Sequence, residues 1–402
     1  VQRRKLLSVV AAGHGSKEGG PRIRKLDPEV GKPATILKVL DHNEHSVYAR
    51  LAGPYAGDPV NEFVPAFHGV VEEQGEDEEA CRYIRIENLL HSFTQPKVMD
   101  VKLGVRTFLE TECENSKLRP DLFKRMAGLY PEELTAEECE AQAITKHRFM
   151  QARDLLTTIS SLGYRLEGLA GYRSKTREEV AEKLVHFRTM QETCGAFQEF
   201  VEVSASNDGD AEIPADPLCI AEEILVRLKR LRHASEESAF VKQHELIGSS
   251  ILIVADASGH AGVFWIDFAK TVPVAAGSEL SHRCAWQMGN HEDGVQLGLD
   301  NLVGAWTTVV LELRGEQRIS RMPSQATSES TTSPRGSVSP TSRSRNIMSD
   351  FAMLSLLPAF SGIVAERKGS RWEGGGWCAA DLAGSTAAPA AAPSLQSVWG
   401  TS

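Results

Sequence analysis

The sequence predicts an α+β protein with a low-complexity tail, and three observations carry that prediction. Short β-rich runs punctuated by glycine and acidic turns fill the chain from Leu6 to about Leu90. From Pro96 to Leu313, stretches with helical spacing are mixed with strand-like runs. Beyond Arg314 the composition turns to Ser, Pro and Ala, which bury no core. In the first zone "KLLSVVAAG", "ATILKVL" and "RYIRIENLL" read as strands and "NEHSVYARL" as a helix. In the second, "DLFKRMAGL", "TAEECEAQAITKHRFMQARDLLTTI", "TREEVAEKLVHFRTM" and "DPLCIAEEILVRLKRLRHA" read as helices. Thr135 and Glu138 make a capping-box start for the second of these. "SSILIVAD" and "GVFWIDFAK" are expected to be buried strands joined by the turn "ASGHA". The expected segments are therefore 1–90, 91–314 and a disordered tail over 315–402.

Hydrophobic residues make up 41% and charged residues 24% of the 402, ordinary for a globular protein. The net charge of −10 invites neither nucleic acid nor an anionic membrane, so an anionic ligand needs a local concentration of bases. The seven cysteines (Cys81, Cys113, Cys139, Cys194, Cys219, Cys284, Cys378) are scattered and never in CxxC spacing. That pattern argues for reduced thiols in a cytoplasmic or nuclear protein with no zinc site. The chain opens on Val1 rather than methionine, as a fragment would, and no secretory apolar region follows. The run "FAMLSLLPAFSGIV" is too short to span a bilayer and contains a proline, so no transmembrane segment is expected.

Four stretches carry candidate chemistry. In "QPKVMDVKLGVRTFLE" alternate residues of an extended chain share a face, so Asp100, Lys102 and Arg106 line one surface of a half-exposed strand. Met99, Val101, Leu103 and Val105 take the other. In "GVFWIDFAKTVP" the carboxylate of Asp267 ends a buried run, where it either caps a turn or binds Mg²⁺ beside nucleotide phosphates. Lys38 follows a β-branched run and Glu44 lies six residues on, in the expected helix. A strand lysine paired with a helix glutamate is how kinase-like folds hold ATP phosphates, and a surface lysine is the alternative. Between Ala141 and Arg177 stand seven bases (Lys146, Arg148, Arg153, Arg165, Arg173, Lys175, Arg177) against Asp154 and Glu167. They make either a solvated basic face or a phosphate site.

Taken together and in order, "ATILKV", "PKVMDVKLGVRTFLE", "GSSILIV", "WIDFAKT" and "HRCAWQMGNHEDGVQLGLDNLV" resemble the inositol polyphosphate kinase family. The family's PxxxDxKxG motif is met by Pro96, Asp100, Lys102 and Gly104. Its SSL motif appears as Ser249, Ser250 and Ile251, and its IDFGK motif as Ile266, Asp267, Phe268, Ala269 and Lys270. "AAGHGS" looks like the family's opening AGHxG strand, so the resemblance spans about Val9 to Leu313. Within the family, "TKHRFMQARDLLTTISSLGYRLEGL" is similar to the TKxRYMQWRE…LGFRIEGI segment of the inositol 1,4,5-trisphosphate 3-kinase branch.

The resemblance implies a two-lobed kinase-like fold: an ATP-binding β-rich lobe over 1–90 and a catalytic lobe over 91–314. A helical substrate-binding insert is implied at about 112–162. It implies Mg²⁺-dependent transfer of the ATP γ-phosphoryl to the 3-hydroxyl of inositol 1,4,5-trisphosphate, with a looser multikinase or a non-catalytic scaffold as rivals. Lys102 would neutralise charge in the transfer and touch substrate, while Asp100 orients or deprotonates the nucleophile. Asp267 and Ser250 would hold Mg²⁺ and the triphosphate, and Lys38, oriented by Glu44, the α- and β-phosphates. Glu87 and Leu89 would offer backbone groups to adenine. Lys146, Arg148, Met150, Arg153 and Lys270 would bind the inositol phosphate. Calmodulin binds the family upstream of the core, but here "VQRRKLLSVV" leads straight into the first expected strand, so calmodulin is not an expected partner.

The chain departs from the pattern at Ala269 (Gly in IDFGK), His291 (Arg in GNREDG), Val295 (an aromatic), Ala152 (Trp), Phe149 (Tyr) and Val39 (a second base). Ala170 stands where the branch has a phosphate-binding lysine, a role for which Arg173 or Lys175 is near. The nucleotide and metal residues are intact, which implies a working enzyme with weaker or altered substrate preference.

Overall fold

Alternating apolar residues and β-branched runs form two antiparallel sheets, and the helices between them cover the apolar faces that the strands leave. The computed structural model describes residues 23–26, 31–74, 80–171, 183–202, 216–256, 258–275 and 277–320. "KLLSVVAAG", "AAGHGS", residues 176–182 of "TREEVAEKLVHFRTM", Arg173, Lys175, Arg177 and the tail beyond 320 lie outside the described residues.

The first sheet has the order β1-β2-β4-β3, from Ile23–Lys25, Thr35–Val39, Ala80–Glu87 and Phe67–Gln74 (β1, β2, β4, β3). Helix α1 (His42–Ala52) starts at Asp41, whose side chain accepts from the backbone N–H groups of Asn43 and Glu44. It buries Glu44, Val47, Tyr48 and Leu51. That 3–4 spacing is an inner face, so Glu44 is turned inward with the apolar residues.

The second sheet has the order β11-β10-β5-β8 and comprises β5 (Lys97–Leu103), β8 (Tyr164–Ala170), β10 (Ser250–Ala255) and β11 (Ala261–Ile266). Strand β5 is an inner strand between β10 and β8, and six of its seven residues are buried, so residues of both faces are covered rather than one face being half-exposed. Met99, Val101 and Leu103 join the main core, alongside Trp265, Trp306 and Phe197. Trp306 stacks on Phe197 with centroids 4.7 Å apart, fixing the helix Val295–Ser320 against Met190–Val201. Neither helix was expected from the sequence. The former runs past the composition change at Arg314.

Arg106 does not share the face of Asp100 and Lys102. Gly104 has φ +96°, where a Cβ would lie 2.8 Å from the Asp293 carbonyl oxygen. The alternation stops at that turn, and Arg106 is carried away from Asp100 and Lys102. It is 2% exposed, ion-paired with Glu245, and sits over the Trp286 ring at 5.1 Å.

The region 110–162 is helical but not continuous. It consists of α2 (Glu110–Cys113), α3 (Pro120–Leu129), α4 (Ala136–Ala141), α5 (Lys146–Leu155) and α6 (Ile159–Leu162). The single helix expected from Thr135 to Ile159 breaks at Gln142, in the left-handed region at φ +47°. There the short strands β6 (Leu118–Arg119) and β7 (Ile144–Thr145) pair. The capping box of Thr135 and Glu138 forms as expected. Met126, Ile144, Phe149 and Ala152 make the region's own small core, which Ala152 fills in place of a tryptophan.

The loop leading into the helix Val295–Ser320 is pinned by Asp293, which accepts from the backbone N–H groups of Val295 and Leu246. His282 donates from Nδ1 to Asp293 Oδ1 at 2.7 Å and from Nε2 to the Val241 carbonyl at 2.9 Å. With both ring nitrogens donating, the imidazole is protonated. Burial alone would lower its pKa, but Asp293 and the carbonyl raise it on balance. A raised pKa stabilises the fold below the ordinary histidine value, and the contribution is lost as pH climbs through the raised one. The melting temperature advantage of the wild type over His282→Gln is therefore expected to shrink above about pH 6.5. An advantage independent of pH would mean that the ring is neutral.

Candidate active site

Side chains from both sheets and from the helical region converge on a cavity of about 580 Å³. Lys38, Asp41 and Glu44 come from β2 and the start of α1, and Lys102, Arg165 and Glu167 from β5 and β8. Phe149, Met150 and Arg153 come from α5, and Asp267, Ala269 and Lys270 from the segment leaving β11 into β12 (Lys270–Pro273), which pairs with β9 (His244–Ile247).

One corner is built on a lysine between two carboxylates. Lys38 Nζ donates to Glu44 Oε1 and Asp267 Oδ1, each at 2.8 Å. Burial works against the charge on Lys38, but Asp267 and Glu44 outweigh it and raise its pKa. Asp267 has φ +66°, a conformation uncommon outside glycine. There the chain turns so that Phe268 enters the core edge-on to Tyr48, while the carboxylate stays in the cavity. Asn43 of α1 ties the segment down by donating to the carbonyls of Ala269 and Thr271 at 2.9 and 2.8 Å. Ala269 is thus held by its backbone, and its methyl group lies in the exposed wall.

Lys102 stands beside that corner. Its Nζ lies 4.0 Å from Asp267 Oδ2 and donates to the Gly248 carbonyl at 2.9 Å. Asp100 is 4% exposed behind it, on the same face of β5 and outside the cavity wall. Burial pushes its pKa up to about 6, against the pull of Lys102 and with Asp267 adding repulsion. Ser250, fully buried, is opposite Lys102 in the β10–β5 register.

The donors suit a divalent cation that is shared with phosphates. Mg²⁺ in such sites takes one or two carboxylates and keeps its remaining positions for water and phosphate oxygens. Among the described residues no cluster of three or more acidic, histidine or cysteine side chains forms a closed cage. One strained cavity carboxylate between two lysines, with a second carboxylate buried behind, fits the shared arrangement.

The opposite wall is basic but heavily paired. Arg153 Nη2 and Arg165 Nε donate to the two oxygens of Glu167, both at 2.9 Å. Burial alone would raise the pKa of Glu167, but Arg165, Arg153 and Lys102 hold it well below the usual carboxylate range. Lys270 donates to Glu112 Oε2 at 2.6 Å and Lys146 to Glu112 Oε1 at 2.5 Å. Arg148 is drawn to Glu138 at 2.7 Å and to the Glu133 carbonyl at 2.6 Å. Lys146 and Arg148 do not line the cavity, whereas Met150, Arg153 and Lys270 do.

Glu87 closes β4 and Leu89 lies in the turn after it, also away from the cavity wall. The Glu87 N–H donates to the Ala66 carbonyl at 2.9 Å. Ala170 packs against the small apolar cluster of Phe93, Val98 and Val254. Arg165 stands in the wall as one of the bases of the candidate phosphate site, whereas Glu167 and Thr107 carry no site role in the sequence reading. The alternation of charge in "YRLEGL" is the sequence signal that puts Glu167 on the same face as Arg165.

A family model described as inositol polyphosphate kinase matches residues 83–307. Inositol-trisphosphate 3-kinase A of Rattus norvegicus is 40% identical over 278 residues, covering 68% of this chain and 55% of that protein. Inositol-trisphosphate 3-kinase B of Homo sapiens is 38% identical over 254 residues, 62% of this chain and 24% of that protein. A solved inositol phosphate multikinase from S. cerevisiae, in complex with ADP and Mn²⁺, aligns at 17% identity with a TM-score of 0.43, over 68% of this chain and 98% of that one. The chain spans about half the length of the 3-kinase A proteins it matches, and less of others. With the matched segment covering more than half of its residues, the chain belongs to the inositol polyphosphate kinase family.

Proposed function

We propose that the chain transfers the γ-phosphoryl of ATP to the 3-hydroxyl of inositol 1,4,5-trisphosphate, giving the 1,3,4,5-tetrakisphosphate. The observation that carries this reading is the position of Lys102. In one cavity it adjoins the Lys38–Glu44–Asp267 corner on one side and the Arg153–Arg165 wall on the other. The first suits a nucleotide triphosphate, the second a phosphorylated acceptor.

In this reading Lys38, oriented by Glu44, holds the α- and β-phosphates, and the backbone at Glu87 and Leu89 meets adenine. Asp267 would hold Mg²⁺, which when bound neutralises phosphate charge, and Ser250, buried and outside the cavity wall, would support that corner from within rather than ligate the ion. Arg153, Lys270 and Met150 seat the inositol phosphate, with Lys146 and Arg148 extending the basic surface. The 3-hydroxyl oxygen bonds to the γ-phosphorus as the bond to the β–γ bridging oxygen breaks, and ADP leaves. Asp100, buried behind Lys102 with its pKa raised, orients the nucleophile or takes the hydroxyl proton through one bridging water. Lys102 stabilises the charge that develops on the transferred group. No helix among the described residues is long and apolar enough to cross a membrane. From the scattered cysteines, the proposed setting is the cytoplasm, with the nucleus as the alternative.

The test is incubation with labelled ATP and defined inositol phosphates, with each product isomer identified by chromatography. The 1,3,4,5-tetrakisphosphate should dominate. Equal use of a tetrakisphosphate acceptor would favour a multikinase, and no ATP consumption a binding scaffold.

A further inference from the structure

Two guanidinium groups in one buried wall repel each other, and the cavity contains such a pair. Arg153 arrives from α5 and Arg165 from β8, with side chains 17% and 6% exposed. Glu167 lies between them with one oxygen on each. It is the extra residue of a β-bulge: Leu166 is opposite Val101 and Gly168 opposite Asp100, leaving Glu167 without a partner on β5. Bulges re-aim a side chain, often beside an active site.

The two arginines are not held alike. Arg165 is also fixed from behind by Asp154 at 2.8 Å, which itself accepts from Thr107 N and Oγ1. Arg153 keeps more of its side chain open in the cavity wall, 17% against 6% for Arg165, and its ion-pair partner is Glu167. The charges nearest Arg153 besides Glu167 include Arg165 and Arg125, both repulsive. Arg165 is therefore a fixed strut, and Arg153 is the arginine with capacity for an incoming phosphate.

Resting on the proposed kinase reading, we propose that Glu167 is a positioning residue for the phosphorylated acceptor. It holds Arg153 beside Arg165, where the Arg153 guanidinium meets one phosphate of the substrate. The proposal has a sign that simple electrostatics does not share. Removing an acid from a cavity that binds a polyanion should tighten binding if the acid only adds negative charge. If it positions Arg153, binding should weaken although the cavity has become more positive.

The experiment compares wild type, Glu167→Gln and Glu167→Asp, by calorimetric titration with inositol 1,4,5-trisphosphate and by steady-state turnover. Glu167→Gln is expected to weaken trisphosphate binding about tenfold or more, the loss of one charge-assisted contact, and to raise its KM in step. The KM for ATP should stay put. Glu167→Asp keeps the charge but is too short to bridge both arginines, so it should fold if the glutamine variant does not, and still bind weakly. Unchanged or tighter trisphosphate binding in a folded variant overturns the proposal, as does a fall in kcat with both KM values unchanged. A wild type that binds without turnover would refute the kinase activity and leave Glu167 to be judged by the titrations. A wild type that neither binds nor reacts would overturn both.

Discussion

Asp267→Asn is expected to abolish phosphoryl transfer, a loss of about a thousandfold or more, while the protein stays folded. The substitution removes the carboxylate charge that faces Lys38 at 2.8 Å and Lys102 at 4.0 Å. In the proposed mechanism it also removes the metal ligand. Stability should survive for a backbone reason: Asp267 sits at φ +66°, and asparagine is among the few side chains that tolerate that region. The carboxylate is also partly exposed in the cavity wall, so no packing is lost. The check is a single-turnover assay with labelled ATP beside a thermal melt. Turnover near the wild-type rate at ordinary Mg²⁺ would remove Asp267 from the mechanism.

Lys102→Ala is expected to lower kcat by about two orders of magnitude or more, with smaller changes in either KM. Lys102 is the cation that adjoins both halves of the cavity, with Asp267 on one side and Arg165 opposite it in the strand register. Its own tether is the Gly248 carbonyl at 2.9 Å. A charge so placed acts on the group in transfer more than on either bound partner, so its loss should appear in turnover. Steady-state kinetics varying each substrate in turn separates these effects. If only the apparent affinity for the inositol phosphate moved, Lys102 would belong to acceptor binding alone.

Much of this arrangement was legible along the chain because it rests on short-range pattern. Lys38 on a strand and Glu44 on the following helix are six residues apart, and the helix's 3–4 spacing alone turns Glu44 inward. The alternation of Met99, Val101 and Leu103 against Asp100 and Lys102 holds throughout β5. The Thr135 capping box also forms, since its bonds span three residues. Two of the misreadings lie where a single backbone torsion interrupts the pattern. Gly104 ends the alternation and sends Arg106 to Glu245, and Gln142 splits what periodicity draws as one helix.

Local sequence pattern was thus enough for the α+β class, the strand lysines, the acid after β11 and the concentration of bases from Lys146 to Arg165. Which of those charges meet was decided in three dimensions. Lys38 and Asp267 are 229 residues apart and share a hydrogen bond, and Lys270 reaches Glu112 across 158 residues. Nor does the abundance of bases reveal that Lys146, Arg148, Arg153 and Arg165 each face an acid. The reason is physical. A periodic pattern records which side of its own element a residue occupies, because that depends on torsions a few residues long. The partner of a buried charge depends on how separate elements pack, since a charge withdrawn from water must be matched by whichever opposite charge the fold brings within reach.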